Sequence, residues 1–447
     1  MGGSGDARTD TGRHVRVPFL GHLVPPYRSD YVDLQPTSAG ILLVAVALAL
    51  LWTNLPAASD SYQRFWHLHL TVGSGDIAIT NTFNGWINEG VMAVFFFVVA
   101  LEMKREVVDG ELRTRRRALV PLVGAIGGMA VPALIYLAFN AGTPQASGWA
   151  VPMATDTAFA VGLLALFGPR VPRNMKVLLT SLAVVDDLGA IAAIALFYGH
   201  TIDMAWIPVV MGAITAVVLM RVLGVRHPLV YVPVAVLLWV AVFESGFHAT
   251  VTGVILGFLV PSGSPRQREM LHRLETDLRP WALLVVIPIF AFANAGVKLT
   301  VHSFTGLGTA LAIGIMVGLV VGKPVGILLG GLGMARTGLG ELPSGIHGGD
   351  VAMVGTIAGV GFTVSLFIAE LAFTGPSLAH AKVAILVGSA VSAVLGCASV
   401  ARRHARPATN AGSNPRLTAG SDGAGGAGPS AVGDGDDPAC DADDCAS

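Results

Sequence analysis

Four ionisable residues lie inside runs whose apolar character should exclude them. Asp156 falls in the middle of Trp149–Phe167, Asp186 and Asp187 in the middle of Val177–Tyr198, and Lys323 toward one end of Thr309–Leu329. Each charge costs roughly 2.5–3.5 kcal/mol at the centre of a membrane helix, so together they cost on the order of 10 kcal/mol. One ion pair with Lys323 satisfies one aspartate, and by itself it reads as a packing device. Two carboxylates then remain at membrane depth without a basic partner. Such groups hold a proton, bind a cation, or do both in alternation. Asp186 and Asp187 must divide the work, because successive helix positions point about 100° apart. One reaches toward Asp156 and the other toward Lys323, and the spacing is compatible with either assignment.

The neighbourhood of Asp156 suits a cation. Pro152 precedes it by one turn, and Thr155 and Thr157 flank it in VPMATDTAF. Proline frees backbone carbonyls, and hard cations take oxygen ligands. Gly359 and Gly361, with Thr363 beside them, interrupt Val351–Phe373 in a similar way, although glycine in membrane helices also serves plain packing. Corresponding breaks of this kind mark the transport site in carriers built from inverted repeats. Facing helix N-termini there are offset by Asp156 and facing C-termini by Lys323. ALEMKREVVDGEL, at the end of another apolar run, supplies Glu102, Lys104, Arg105 and Glu106. These residues anchor a helix at the interface or, joined by Glu275 of HRLETDLRPW, form a charged cluster whose protonation gates access. His227 and His248 titrate in the right range, but both are expected to be solvated loop residues.

Positioning these groups takes an all-α polytopic bundle. Of the 447 residues 53% are hydrophobic and 13% charged, and a soluble protein carries about 25% charge. That is too little to coat the two or three soluble domains such a length would form. A net charge of −1 gives no basis for a nucleic-acid partner, and Cys397, Cys440 and Cys445 make no disulfide framework. About twelve apolar segments approach the roughly 20 residues a spanning helix needs. They are Ser38–Leu55, Ile87–Leu101, Ala118–Asn140, Trp149–Phe167, Val177–Tyr198, Met204–Val222, Leu229–Phe243, Phe247–Val260, Trp281–Val297, Thr309–Leu329, Val351–Phe373 and Val383–Val400. The seventh and eighth are short, and Glu244 with Gly246 marks either a tight turn or a break in one tilted helix. The two interrupted runs are the fourth and the eleventh, each the middle member of a triplet.

Lys and Arg gather in the N-tail, the C-tail and every second loop, leaving Arg64, Lys298 and Lys382 on the other side. That asymmetry puts both termini in the cytoplasm. Residues 1–37 form an N-terminal tail without the apolar run of a signal peptide, so the first span acts as the membrane address. Residues 38–401 make the transmembrane domain. Residues 402–447, rich in Gly, Ala, Ser and Asp, have too little apolar surface to fold, and their CDADDC string reads as a solvated acidic tail. LTVGSGDIAIT (Leu70–Thr80) alternates about a Gly-Ser-Gly turn. It is a covering loop or a β-hairpin whose open edge suits a second chain. No P-loop string is present, which argues against ATP-driven transport. The GxGD strings at Gly73–Asp76 and Gly433–Asp436 lie in polar stretches, away from the buried depth an aspartyl dyad needs.

With these residues in view, Ser38 to Ala401 closely resembles the NhaA family of bacterial Na+/H+ antiporters, itself an instance of inverted repeats with broken helices. The strings that carry the resemblance are FFFVVALEMKRE, GAIGGMAVPALIYLAFN, VPMATDTAFAVG, AVVDDLGAIAAIALFY, SGFHATVTGVILGF, PIFAFANAGV, GKPVGI and GFTVSLFIAELAF. The resemblance implies about 12 transmembrane helices in a bacterial plasma membrane. It implies pH-regulated, electrogenic export of Na+ or Li+ against inward protons by alternating access, in the service of sodium and pH homeostasis. It implies no enzyme chemistry and no cofactor. Asp156 and Asp187 would hold Na+ and protons in turn, with Thr155 nearby. Asp186 would pair with Lys323, and Glu102, Arg105 and Glu275 would form the pH-responsive cluster. Membrane lipid surrounds such a protein, and the hairpin 70–80 would join two protomers. The rival reading is a Na+-binding channel or sensor without obligatory exchange. Thr276 and Arg279 stand where the family often places histidines, and Glu370 stands where a small polar residue is expected.

Overall fold

Backbone in lipid satisfies its hydrogen bonds only inside a helix or a closed barrel, and the apolar segments here become helices. The computed structural model describes residues 34–73, 78–199, 202–225, 227–300 and 305–404. Most of both expected tails, with Cys440, Cys445 and the GDGD string, and the hairpin turn with most of GSGD, lie outside these residues. In chain order the elements are α1 (Leu34–Asn54), α2 (Ser59–Trp66), β1 (His69–Val72), β2 (Ile79–Thr82), α3 (Met92–Val108), α4 (Arg115–Asn140), α5 (Thr157–Ala165), α6 (Arg173–Phe197) and α7 (Ile207–Val222). They continue with α8 (Pro228–Glu244), α9 (Thr250–Leu259), α10 (Pro265–Trp281), α11 (Ile287–Asn294), α12 (Ala310–Val317), α13 (Lys323–Arg336), α14 (Gly348–Ala358), α15 (Phe362–Ala372) and α16 (Gly375–His404).

π-helical turns at Ala282–Val286 and Gly318–Gly322 join α10 to α11 and α12 to α13, so each pair forms one continuous span. Helix α1 begins at Leu34, ahead of the expected boundary at Ser38, and α16 runs on to His404. Gly246, at φ 85°, turns the chain between α8 and α9, which decides for two separate helices over one tilted span. Helix α9 has only 10 residues, a rise of about 15 Å, half of an ordinary hydrocarbon core.

Two runs are not continuous helices. The fourth starts as 3-10 helix over Pro144–Met153, becomes extended at Ala154–Asp156 and resumes as α5. The eleventh bends by 49° between α14 and α15. The two breaks meet: the Asp156 amide donates to the Val360 carbonyl at 2.7 Å, backbone satisfying backbone where neither helix does so itself. Glycine makes the meeting possible, since a Cβ on Gly361 would come within 2.9 Å of the Ala154 carbonyl oxygen. Helices α4 and α13 cross as tightly. A Cβ on Gly127 would fall 2.3 Å from the Gly326 carbonyl oxygen, and one on Gly326 2.1 Å from that of Gly127.

On another side of the bundle, β1 and β2 pair antiparallel with Val72 opposite Ile79 and His69 opposite Thr82. Of the two readings of that loop, the hairpin is the one found. Tyr62 of α2 donates from its hydroxyl to the Phe292 and Ala293 carbonyls at 2.7 and 2.9 Å, tying α2 to the end of α11.

Candidate functional site

Asp156 sits at the N-cap of α5. Its Oδ1 accepts from the Phe159 amide at 3.0 Å, while Oδ2 accepts from the Thr363 amide at 3.2 Å and the Thr363 hydroxyl at 2.6 Å. Thr363 lies in the first turn of α15, so two helix N-termini direct their free N–H groups and positive dipole ends at one carboxylate.

Lys323 takes the opposite role. It follows directly on the π-helical turn, is completely buried, and its Nζ lies 2.6 Å from Asp186 Oδ2 and 2.5 Å from Thr155 Oγ1. Thr155 Oγ1 is also 3.0 Å from the carbonyl of Ala358, the last residue of α14. The ammonium therefore stands beside a helix C-terminus, where a cation is favoured. Of the two pairings the spacing left open, the structure has Asp186 with Lys323. Thr155 belongs with that pair.

Asp187, one position on, turns to the other side and accepts from the Thr157 hydroxyl at 3.2 Å. Asp156 and Asp187 open into one cleft of about 40 Å³, lined also by Thr157, Thr363, Glu102 and Arg279. A water centre needs only about 10–15 Å³, so the cleft has room for a water molecule or a small ion. Among the described residues no ion pair joins either aspartate to a base, whereas Asp186 has Lys323.

The expected charged cluster is assembled at one side of this cleft. Arg105 of α3 lies 3.1 Å from Glu275 of α10, and Arg279 lies 3.3 Å from Glu102 and 3.6 Å from Glu275. Arg279, noted in the sequence as a departure, is the bridge between the two carboxylates. Glu106, a turn beyond Glu102, is buried and accepts from the Ser181 hydroxyl at 3.2 Å.

His248 corrects the expectation of a solvated histidine; His227 is exposed. His248 is 4% exposed and lies in the connection Ser245–Ala249, ahead of α9, between two acceptors: Glu89 Oε1 at 3.0 Å from Nδ1 and the Tyr198 carbonyl at 2.7 Å from Nε2. Burial disfavours charge on the ring, but only the doubly protonated imidazole serves both acceptors. Glu89 and the Tyr198 carbonyl thus hold its pKa above the ordinary 6.5. Glu89 was missed in the sequence although it interrupts the apolar run Ile87–Leu101, the signal that singled out the aspartates.

Two broken helices crossing around unpaired carboxylates, inside a bundle of apolar helices, define a secondary carrier of cations. The family model described as Na+/H+ antiporter 1 matches residues 29–400. The Na(+)/H(+) antiporter NhaA of Escherichia coli O1:K1 is 47% identical over 360 residues, covering 80% of this chain and 93% of that relative. The Na(+)/H(+) antiporter NhaA 2 of Sorangium cellulosum is 41% identical over 422 residues, 85% of this chain and 90% of the relative. The chain belongs to the Na+/H+ antiporter 1 family, and it is a multi-pass membrane protein.

Proposed function

We propose that this protein extrudes Na+, or Li+, across the bacterial plasma membrane in exchange for external protons, with both termini in the cytoplasm. The reading rests above all on the shared cleft of Asp156 and Asp187. Deprotonated, the two carboxylates and the hydroxyls of Thr157 and Thr363 offer a hard cation its oxygen ligands; protonated, they do not. Sodium and protons therefore compete for one seat, and that competition couples the fluxes without ATP. Two carboxylates that each release a proton for one monovalent cation make the exchange electrogenic. Alternating access follows from motion of the broken-helix unit against its neighbours, and protonation of Asp186 releases Lys323 during the cycle. Glu102, Arg105 and Glu275, linked by Arg279, sit beside the route and tune it to pH. A homodimer forms through the hairpin 70–80, whose strand His69–Val72 is exposed along its length.

Proteoliposomes with an imposed pH gradient test the exchange. Addition of Na+ moves protons in the opposite direction through the native protein, and Asp187→Asn abolishes this while the purified variant unfolds at a similar temperature. Sodium-coupled proton flux in Asp187→Asn, or sodium current without proton counterflow in the native protein, contradicts the reading.

A further inference from the structure

Glu370 and Lys382 form an ion pair that the exchange just described does not use. Glu370 lies near the end of α15 and Lys382 in the first turns of α16, with Nζ and Oε1 2.5 Å apart and side chains only 11% (Lys382) and 13% (Glu370) exposed. A pair so far removed from water gains little as a structural strut, since apolar residues of the same volume hold helices together as well.

Its position points elsewhere. Glu370 is seven residues beyond Thr363 on the same helix, hence on the same face and about 10 Å along the axis. Thr363 is the residue whose hydroxyl holds Asp156. Between them on that face stands Phe367, packed against Phe96 and Phe290 with ring centroids 5.7 and 5.9 Å apart, all three buried. This aromatic layer stands between Thr363 and Glu370 along α15. The hydroxyl of Tyr62, fixed to α11, is pushed above its ordinary pKa by burial and, further, by the negative charge of Glu370. Helix α15, which carries Glu370, packs against α11, the helix to which Tyr62 is hydrogen-bonded. By the loop-charge asymmetry, Arg64 and Lys382 lie on the extracellular side, which puts this pair toward the extracellular end of α15.

We propose that Glu370 is a second cation station, which receives sodium leaving Asp156 and Asp187 once the aromatic layer parts. Lys382 is its resident competitor: the ammonium occupies the carboxylate when no sodium is there and returns to displace the ion into the medium. The inference rests on Asp156 and Asp187 being the main site.

The test is side-specific kinetics on the full-length protein, reconstituted in one orientation, with the apparent KM for Na+ measured at each face. Glu370→Gln raises the extracellular KM relative to the cytoplasmic one by roughly fivefold, the scale of one partly screened charge contact. Lys382→Met lowers that ratio, because the competitor is gone, and Glu370→Asp restores most of the native value. A purely structural pair predicts that both variants shift both faces alike and in the same direction, with the double variant recovering. That pattern, or an unchanged extracellular KM in Glu370→Gln, overturns the station. Neither outcome touches the main site, which fails only if Asp187→Asn still exchanges.

Discussion

The Asp186–Lys323 pair is the sharpest place to perturb this protein, because its two charges are as buried as any in the bundle, 1% and 0% exposed at 2.6 Å. Replacing Lys323 by Met leaves the Asp186 carboxylate in an apolar interior with only the Thr155 hydroxyl, next to Asp187. Removing one member of a buried pair costs about 3–5 kcal/mol, most of it the desolvated charge left behind. Asp186→Asn strands the ammonium in the same way, and the cost falls in the same range. The double variant, Asp186→Asn with Lys323→Met, leaves no stranded charge. The new amide still meets the Thr155 hydroxyl, and the methionine fills the lysine stem's volume, so stability returns to within about 1–2 kcal/mol of the native protein. Urea unfolding in detergent, followed by tryptophan fluorescence, measures all four proteins in one thermodynamic cycle. The expected coupling is at least about 3 kcal/mol, with the double variant more stable than either single one. Additive losses, or a Lys323→Met cost below about 1 kcal/mol, would show that this pair is not the isolated, desolvated contact its geometry describes.

Two further outcomes follow from other parts of the molecule. The folded-state pKa of His248 lies above its unfolded value of 6.5, so its pairing with Glu89 and the Tyr198 carbonyl stabilises fully below that value and fades as pH rises through the folded one. The gap in unfolding temperature between the native protein and His248→Gln is therefore widest in acid; a gap that grows in alkali refutes the assignment. Deleting residues 70–80 turns the expected dimer into a monomer by light scattering in detergent, and a persisting dimer removes the hairpin from the interface.

The ion site was legible because an ionisable residue inside an apolar run is conspicuous whatever the fold around it. Asp156, Asp186, Asp187 and Lys323 announce themselves by cost. Which aspartate takes the lysine was legible only through the family resemblance and not from spacing, because it depends on the rotation of α6 against α13, a tertiary quantity. Glu89 and His248 lie 159 residues apart, and no local spacing links them. Arg279 shows a subtler limit. Its place one turn from Glu275 on α10 was readable, but its contact with Glu102 needed the packing of α3 against α10. The helix breaks were readable from Pro152, Gly359 and Gly361; that they meet through Asp156 and Val360 was not.

At Gly127 and Gly326 bare main chain lies against bare main chain, with no layer of side chains to serve as a bearing. A slip of α4 along α13 would drive carbonyl oxygens into the opposing Cα atoms, so these two helices travel as a single stiff beam with Lys323 fixed one turn from the joint. Whatever swings Asp156 and Asp187 from one bath to the other must therefore pivot elsewhere, as along the boundary toward α3, α10 and α11. Slow amide exchange at this joint beside quick exchange at that boundary would be the visible trace of the division.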